Sequence, residues 1–305
     1  MSYLEGRVAV VTGAGRGIGA AVATLLAKLG AHVVVNDLGV KVDGSDPDQT
    51  PAQSVVDDIV AAGGSAIANY NDVSDFDAAE RIIQSAIDNF GKLDILINVA
   101  GILRDRMIFN MSEAEWDAVI DVHLKGTFNT TRHASAYWRK NPSAEGHHRI
   151  INFISAAGLY GIPGQPNYSA AKAGMVGLTF SCANALAKYG VTANAVAPAA
   201  ATRMGQTVPA DRDRPERAVF QTDEYGPQSI APLAGYLAGL SSGWCTGRVL
   251  GARGHRVLLY SNPEPIRYLV ADQQWDVERL GKTMEEVFQP LPSEYNPFAA
   301  ARPAK

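Results

Sequence analysis

Tyr168 and Lys172 have the residue types and the spacing that acid–base chemistry on an alcohol requires. They stand four residues apart in a segment of helical spacing that begins near Pro166, which places both side chains on one helix face. An ammonium near a phenol favours the phenolate, the form that accepts a proton. Accepting a proton near neutral pH requires the pKa of Tyr168 to fall roughly two to three units below its free value of about 10, and the ammonium together with the positive charge of an oxidised cofactor can supply that stabilisation. The simpler alternative is a surface pair on an amphipathic helix.

Ser155 is the third candidate catalytic residue. It stands thirteen residues before Tyr168 and directly follows the apolar run 150–154, which predicts a buried strand. In open parallel sheets, ligands bind in the crevice at the carboxyl ends of the strands. A hydroxyl at this end can hold the reacting oxygen of a substrate beside the phenol.

A glycine-rich turn near the N-terminus predicts a nucleotide site. Three glycines with the spacing GxxxGxG follow the apolar run 8–12 and precede a segment of helical spacing. Backbone N–H groups at such a strand-to-helix junction hold a pyrophosphate. The candidate cofactor contacts in this turn are Gly13, Arg16, Gly17, Ile18 and Gly19. The turn, Ser155 and the Tyr–Lys pair occur in one order on suitable elements, which argues against a chance match.

Asp37 favours NAD over NADP as the cofactor. It ends the second strand-like run, 24 residues after Gly13, where a carboxylate accepts hydrogen bonds from the adenosine ribose and repels a 2′-phosphate. Arg16 and Lys41 are the contrary observation, because a nearby cation can receive that phosphate. Their alternative is a solvated surface charge.

Asp72 and Val73 follow the third predicted strand, and we expect them to contact the adenine. A structural alternative stays open, because Ser74 and Asp75 stand beside them. Such a group is also typical of a helix N-terminus, where Asp and Ser side chains accept backbone hydrogen bonds.

Short apolar runs alternate with longer segments of helical spacing, which is typical of βαβ units. The predicted fold is a Rossmann-type, doubly wound α/β sheet of seven parallel strands with helices on both faces. We expect one NAD-binding domain over residues 1–260 and a C-terminal extension over 261–305. The predicted strands lie near 7–12, 32–36, 65–69, 93–98, 149–154, 191–197 and 247–251, and the predicted helices near 17–29, 51–62, 75–90, 112–140, 167–189 and 228–240.

Composition narrows the class of protein. The chain has 305 residues, 47% of them apolar, and a net charge of −4, so it can bury a full core but offers no basic field for nucleic acid. Its two cysteines, Cys182 and Cys245, lack the spacing of a disulfide framework or zinc site. Neither a secretory signal nor a spanning segment is evident. We expect a cytoplasmic enzyme without membrane or nucleic-acid partners and without a metal.

The chain resembles the short-chain dehydrogenase/reductase superfamily over roughly residues 5–255. The motifs are Thr12-Gly-Ala-Gly-Arg-Gly-Ile-Gly19, Asp72-Val73, Asn98-Val-Ala-Gly101, Ser155, Tyr168-Ser-Ala-Ala-Lys172 and Ala197-Pro198. The resemblance implies that the cofactor is lined by Tyr168, Lys172, Asn98, Ala100, Gly101, Pro198 and Thr202. The glycine that usually follows that proline is Ala199 here. A homodimer or homotetramer paired through the long helices is also implied.

Several stretches are similar to the dehydrogenase portion of the peroxisomal multifunctional enzyme type 2 family and its bacterial relatives. They include Ala100-Gly-Ile-Leu-Arg-Asp-Arg106 and Val122-His-Leu-Lys-Gly126. The similarity implies a (3R)-hydroxyacyl-CoA substrate. His123 stands where many superfamily members place an asparagine that helps a proton relay behind the lysine, so we include it as a fourth catalytic candidate. A structural role for this histidine is the alternative.

Three alternatives for the function stay open at this point, two of which differ in the substrate. The first is a 3-hydroxyacyl-CoA, with a bulky sterol-derived or long acyl part and with mouth cations supplied by Arg104, Arg106, Arg203 and Arg212. The second is a free hydroxysteroid or another apolar alcohol against a wall formed by Leu159, Tyr160, Ile162 and Met204. The third is a non-catalytic nucleotide-binding module, against which the complete Ser155, Tyr168 and Lys172 set argues.

Overall fold

The computed structural model describes residues 2–142, 147–201 and 223–288. The chain divides into two compact units, with the boundary between Tyr260 and Ser261. The first unit contains the sheet and the candidate site. In the second unit, helix α9 (Val277–Val287) begins at Asp276, whose side chain accepts a hydrogen bond from the Arg279 N–H at 2.8 Å.

The first unit is built on one sheet, and the predicted Rossmann-type class is confirmed. Within the described residues the sheet has eight strands in the order β3-β2-β1-β4-β5-β6-β7-β8. The seven strands β1–β7 pair in parallel, so their carboxyl ends share one edge. The strands are β1 (Val8–Thr12), β2 (His32–Asn36), β3 (Ser65–Asn69), β4 (Ile95–Asn98), β5 (His148–Phe153), β6 (Val191–Pro198), β7 (Arg248–Arg253) and β8 (Arg256–Leu259).

The predicted count of seven strands is one short. Strand β8 pairs antiparallel with β7 and extends the sheet at its edge. A two-residue turn at Gly254-His255 joins the two strands, and Gly254 has a φ of 53°, which suits such a hairpin. The sequence analysis relied on the alternation of strands and helices in βαβ units. A β-hairpin does not follow that alternation, so β8 was not predicted.

Helices cover both faces of the sheet because its inner strands are apolar on both sides. Val8 and Val10 of β1 pack in one core cluster with residues of α3, α5 and α7, and Ala9 and Val11 pack in another with residues of α1, α2 and α8. The helices of the first unit are α1 (Gly17–Lys28), α2 (Thr50–Ala61), α3 (Phe76–Phe90), α4 (Glu113–Ile120), α5 (Gly126–Lys140), α6 (Ala156–Tyr160), α7 (Pro166–Leu186) and α8 (Ala231–Ala238).

The single helix predicted over 112–140 is wrong in one respect. A π-helical turn over Asp121–Lys125 separates α4 from α5. The wider turn inserts one residue and turns the following side chains, and such turns are frequent at functional sites. The apolar spacing of the sequence did not predict this turn, because one inserted residue only shifts the phase of the helical period. None of the helices among the described residues has the length and apolar character to cross a membrane.

Candidate active site

The candidate catalytic side chains meet at the carboxyl edge of the sheet. Ser155 follows β5, and its Oγ accepts a hydrogen bond from the Ala157 N–H at 3.2 Å, which begins α6. Tyr168 lies in the first turn of α7, near enough to the Ser155 side chain for that side chain to lower the pKa of the phenol. Lys172 lies one turn later, with its Nζ 5.6 Å from the centre of the Tyr168 ring. The structure therefore brings the three predicted residues together.

Lys172 is held by the end of β5. Its Nζ donates to the Phe153 carbonyl oxygen at 2.6 Å, and the side chain is only 3% exposed. Burial lowers the pKa of Lys172 to about 7. The ammonium therefore titrates near neutral pH.

Burial has the opposite effect on Tyr168. It raises the pKa of this phenol to about 12, with the hydrogen bond from Ser155 lowering it and the charge of Asp105 raising it further. The expected depression of the Tyr168 pKa is therefore not supplied by the surrounding side chains. A phenol with a raised pKa stays protonated and can offer a hydrogen bond to a carbonyl oxygen, although it is a weaker acid than a free phenol. Its ionisation for the reverse reaction needs an additional positive charge nearby.

His123 lies beside Tyr168 but faces the loop after β4. The two rings meet edge to face with centres 5.1 Å apart. His123 Nε2 lies 2.8 Å from the Ile102 carbonyl oxygen and 3.1 Å from the Ile102 nitrogen, so it makes one of these contacts according to its tautomer. A Cβ on Gly101 would lie 2.1 Å from its Cε1, which explains the glycine.

Burial, and then the charge of Lys172, lowers the pKa of His123 well below its ordinary value. The ring is therefore neutral, and its Nδ1 is buried without a hydrogen-bond partner among the described residues. These contacts give His123 a clear role in holding the Tyr168 ring and the Ile102 loop. A role in proton relay stays a prediction.

The glycine turn forms a cradle that fits a dinucleotide. A Cβ on Gly13 would lie 2.6 Å from the Ala100 Cα, and one on Gly19 would lie 2.1 Å from the Gly13 carbonyl oxygen. Gly17 has a φ of 56°, and a Cβ at this position would meet no other atom within 4 Å. Helix α1 begins there without a side-chain cap on its first N–H groups. Uncapped N–H groups above close-packed glycines are the donors that a pyrophosphate binds.

Asp37 closes the other side of this cradle. Its carboxylate accepts hydrogen bonds from the Gly15 N–H at 2.7 Å and the Gly39 N–H at 2.6 Å. Arg16 donates to the carbonyl oxygens of Gly39 and Val40 at 3.3 and 3.5 Å. Gly15 is a site residue that the sequence reasoning missed, although its position inside the glycine turn is a usable signal.

The two cations near Asp37 have partners in the loop after β2. Arg16 bonds its carbonyl oxygens, and Lys41 forms an ion pair with Asp46. This loop is anchored at its start, where Gly39 is buried and Val40 packs against the apolar cluster that contains Ile102. These contacts weaken the case for a 2′-phosphate site.

Asp72 and Val73 follow the carboxyl end of β3 and are held by local hydrogen bonds. The Asp72 carboxylate accepts from the Ser74 N–H and hydroxyl, both at 2.8 Å. The cap of α3 is Asp75, which accepts from the Ala78 N–H at 2.6 Å. The Val73 carbonyl oxygen accepts from the Asn129 amide at 2.9 Å.

Asn98 supports the central strands from within. Its amide donates to Asn152 Oδ1 at 2.9 Å, and its Oδ1 accepts from the Thr130 hydroxyl at 2.7 Å. Only 3% of Asn98 is exposed, so its side chain lies beneath the cofactor cleft rather than along its surface. Ala100 touches the glycine turn, and Pro198 ends β6. Thr202, Arg203, Met204 and Arg212 lie outside the described residues.

The loop after β4 is docked against the start of α7. The buried Asn167 amide donates to the carbonyl oxygens of Arg104 and Glu115 at 3.0 and 2.9 Å. Arg104 donates to the Asp43 carbonyl oxygen at 2.7 Å, and Arg106 donates to Glu115 at 3.0 Å. Asn167 was missed by the sequence reasoning, although a buried amide next to Tyr168 indicates a positioning role.

This fold and site define a dinucleotide-binding oxidoreductase with a Ser–Tyr–Lys centre. Residues 7–213 match the short chain dehydrogenase family. The chain belongs to this family, and the resemblance seen in its motifs is confirmed.

Individual relatives narrow the comparison. The chain is 45% identical to the hydroxyacyl-CoA dehydrogenase ChsB1 of Mycobacterium tuberculosis, over 93% of this chain and 89% of that protein. It is also 45% identical to the peroxisomal multifunctional enzyme type 2 of Drosophila melanogaster, over 76% of this chain but only 36% of the longer relative. A crystal structure of a short chain dehydrogenase from Mycobacterium avium matches with a TM-score of 0.83 and 46% identity, covering 94% of this chain and 96% of that one.

Proposed function

We propose that this oxidoreductase is an NAD-dependent 3-hydroxyacyl-CoA dehydrogenase. The observation that carries the reaction type is the meeting of Ser155, Tyr168 and Lys172 at the carboxyl edge of the sheet, with the Lys172 Nζ 5.6 Å from the centre of the Tyr168 ring. Two relatives support the substrate class. One is named as a hydroxyacyl-CoA dehydrogenase, and the other is a peroxisomal multifunctional enzyme type 2. The non-catalytic alternative has no support in this geometry.

The proposed mechanism places the reacting oxygen between the Ser155 hydroxyl and the Tyr168 hydroxyl. Ser155 orients that oxygen, and Tyr168 exchanges a proton with it. Lys172 stays fixed to the Phe153 carbonyl oxygen at 2.6 Å, and its ammonium form places a positive charge behind the phenol. Bound NAD would supply the hydride acceptor. Positioning and a prearranged pair of hydrogen-bond groups provide most of the catalysis.

NAD rather than NADP is supported by the surroundings of Asp37. Two backbone N–H groups fix its carboxylate at the rim of the cradle. A fixed negative charge there accepts from ribose hydroxyls and repels a 2′-phosphate. The nearby guanidinium of Arg16 is directed at loop carbonyl oxygens.

The test is a matched set of oxidations followed by absorbance of the reduced cofactor. A (3R)-hydroxyacyl-CoA series of increasing chain length, its (3S) counterparts and free hydroxysteroids are each offered with NAD and with NADP. We expect turnover of a hydroxyacyl-CoA with NAD. Efficient oxidation of a free steroid without thioester turnover would reject the proposed substrate class. A preference for NADP would reject the proposal that Asp37 selects NAD.

A further inference from the structure

Asn129 is a buried polar residue to which the proposed mechanism gives no role. It lies in the first turn of α5, and none of its surface is exposed. Its amide donates to the Val73 carbonyl oxygen at 2.9 Å and to the Ser74 carbonyl oxygen at 3.2 Å. Both acceptors belong to the loop after β3, residues 70–74. The Asn129 Oδ1 has no hydrogen-bond partner in the described part of the chain, so the side chain spends its hydrogen bonds on this loop.

The loop after β3 is held from its other side by β2. Asn36 of β2 is 1% exposed, and its amide donates to the Asn71 carbonyl oxygen at 2.9 Å and to Asn69 Oδ1 at 3.0 Å. The Asn71 N–H donates to the same Oδ1 at 3.0 Å. One buried amide therefore holds the start of the loop, and the amide of Asn129 holds its end.

The start of α5 also packs closely on this loop. A Cβ on Gly126 would lie 2.8 Å from the Val73 Cγ2. Val73 is buried in a core cluster with residues of β1, α3 and α5, whereas Asp72 is only half-buried. The loop therefore directs the Val73 side chain into the core and leaves the Asp72 carboxylate accessible at the carboxyl edge of the sheet.

The strand order places this loop at the adenosine end of the cofactor cleft. Along the edge β3-β2-β1-β4-β5, Ser155 follows β5, the glycine turn follows β1 and Asp37 follows β2. A dinucleotide with its pyrophosphate on the glycine turn and a ribose at Asp37 continues past β2 with its base. Neighbouring strands lie about 5 Å apart, so the next group along this edge is the loop after β3.

We propose that Asn129 is a positioning residue for the adenine of the bound dinucleotide. Its full burial keeps it from touching the base, and it acts by holding the backbone of the loop that Asp72 belongs to. A loop fixed before the ligand arrives loses less conformational freedom on binding. The inference rests on the proposed NAD dependence and deepens it, because it gives α5 a part in cofactor affinity.

The test compares the binding of two cofactor fragments to Asn129→Ala and to the native enzyme. AMP carries the adenine half of NAD and NMN carries the nicotinamide half. Each is titrated against bound NADH, followed by its fluorescence. We expect the dissociation constants of AMP and NADH to rise by about five- to tenfold, the scale of one net hydrogen bond, whereas that of NMN stays within about twofold. Equal weakening of AMP and NMN, or an unchanged AMP affinity, overturns the proposal.

Steady-state kinetics give a second readout of the same variant. A residue that affects only cofactor binding should raise the KM for NAD by a similar factor and leave kcat at saturating NAD unchanged. A fall in kcat without a change in the KM for NAD would contradict the proposal, because it would place the effect of Asn129 on the reacting groups.

Asn194→Ala is the matched control. Asn194 is 1% exposed and lies in β6, and its amide donates to the Cys245 carbonyl oxygen at 2.8 Å. This variant also loses a buried bond to the backbone, but on the other side of the sheet from β3. It should lose stability without a change in the AMP to NMN affinity ratio.

Asn129→Leu keeps most of the side-chain volume and removes the donors, so it should reproduce the AMP shift if Asn129→Ala does not fold. If neither substitution folds while Asn194→Ala does, Asn129 is a core residue and the proposal fails. A native enzyme that binds NADH but oxidises no hydroxyacyl-CoA rejects the substrate class alone, since the fragment titrations need no substrate. A native enzyme that binds neither NADH nor NADPH rejects the proposed cofactor and this inference with it.

Discussion

The two ends of the sheet both bury ionisable side chains, but they use them differently. At the carboxyl edge, Lys172 is buried and Tyr168 is half-buried, and the Lys172 Nζ lies 5.6 Å from the centre of the Tyr168 ring. At the amino edge, Arg7 and Arg149 are 6% and 1% exposed, and their guanidinium groups bond carbonyl oxygens at the end of α8. Arginines at a helix C-terminus satisfy carbonyl groups that the helix leaves unpaired.

The difference shows that burial of a charge does not by itself identify a functional site. Burial lowers the pKa of Arg7 to about 10 and that of Lys172 to about 7. What separates the two edges is the Tyr168 hydroxyl. The donors of Arg7 and of Lys172 both bond backbone carbonyl oxygens, whereas the Tyr168 hydroxyl lies near the Ser155 side chain and is available to a substrate oxygen.

The largest expected effect is at the carboxyl edge. Replacing Tyr168 by Phe removes the proton donor and acceptor but keeps the ring against His123, so kcat should fall by about a thousandfold. Cofactor affinity, measured by fluorescence titration, and the melting temperature should not change. Tyr189→Phe at the far end of α7 is the control and should keep full activity. Retained turnover in Tyr168→Phe would remove the distinction between the two edges.

At the amino edge the expected effect is on stability. Arg149 donates to the carbonyl oxygens of Gly239, His148 and Leu240 at 3.1, 2.9 and 3.4 Å. Arg149→Met should lower the free energy of unfolding by about 2 to 4 kcal/mol, because these carbonyl groups lose their donors. Urea denaturation measures this loss of unfolding free energy. The kcat of the folded variant should equal that of the native enzyme.

The exposed Arg248 provides the comparison for this substitution. Arg248→Met should leave stability nearly unchanged. Equal losses in the two variants would mean that the buried hydrogen bonds of Arg149 contribute nothing specific to α8.

A smaller effect is expected at His148, which stacks on Trp138 with ring centres 5.0 Å apart. Burial lowers the pKa of His148 to about 4. A histidine with a lowered folded pKa costs nothing above about pH 6.5 and destabilises the fold as pH falls toward 4. His148→Phe should therefore remove about 2 kcal/mol of acid destabilisation in this interval.

Denaturation at pH 7.5 and at pH 4.5 measures this difference. The exposed His255 serves as control, since His255→Gln should leave the pH dependence native. A parallel pH dependence of native enzyme and His148→Phe would show that protonation of His148 is not opposed by the fold. Activity at pH 7.5 should be unchanged, which again separates the amino edge from the carboxyl edge.

Short-range patterns in the sequence were sufficient for the fold class and for several site positions. Tyr168 and Lys172 share a helix face because four residues make about one turn. The glycine turn is evident because it directly joins a strand to a helix. The seven parallel strands follow from apolar runs that repeat along the chain. Each of these inferences depends on neighbours in sequence.

The tertiary structure decided what distant segments do to one another. It placed the neutral His123 beside Tyr168, added β8 to the sheet edge and inserted the π-helical turn. It also set the direction of the Tyr168 pKa, since burial depends on all the elements that surround the phenol. Desolvation and charge act through space, and one-dimensional spacing does not contain those distances.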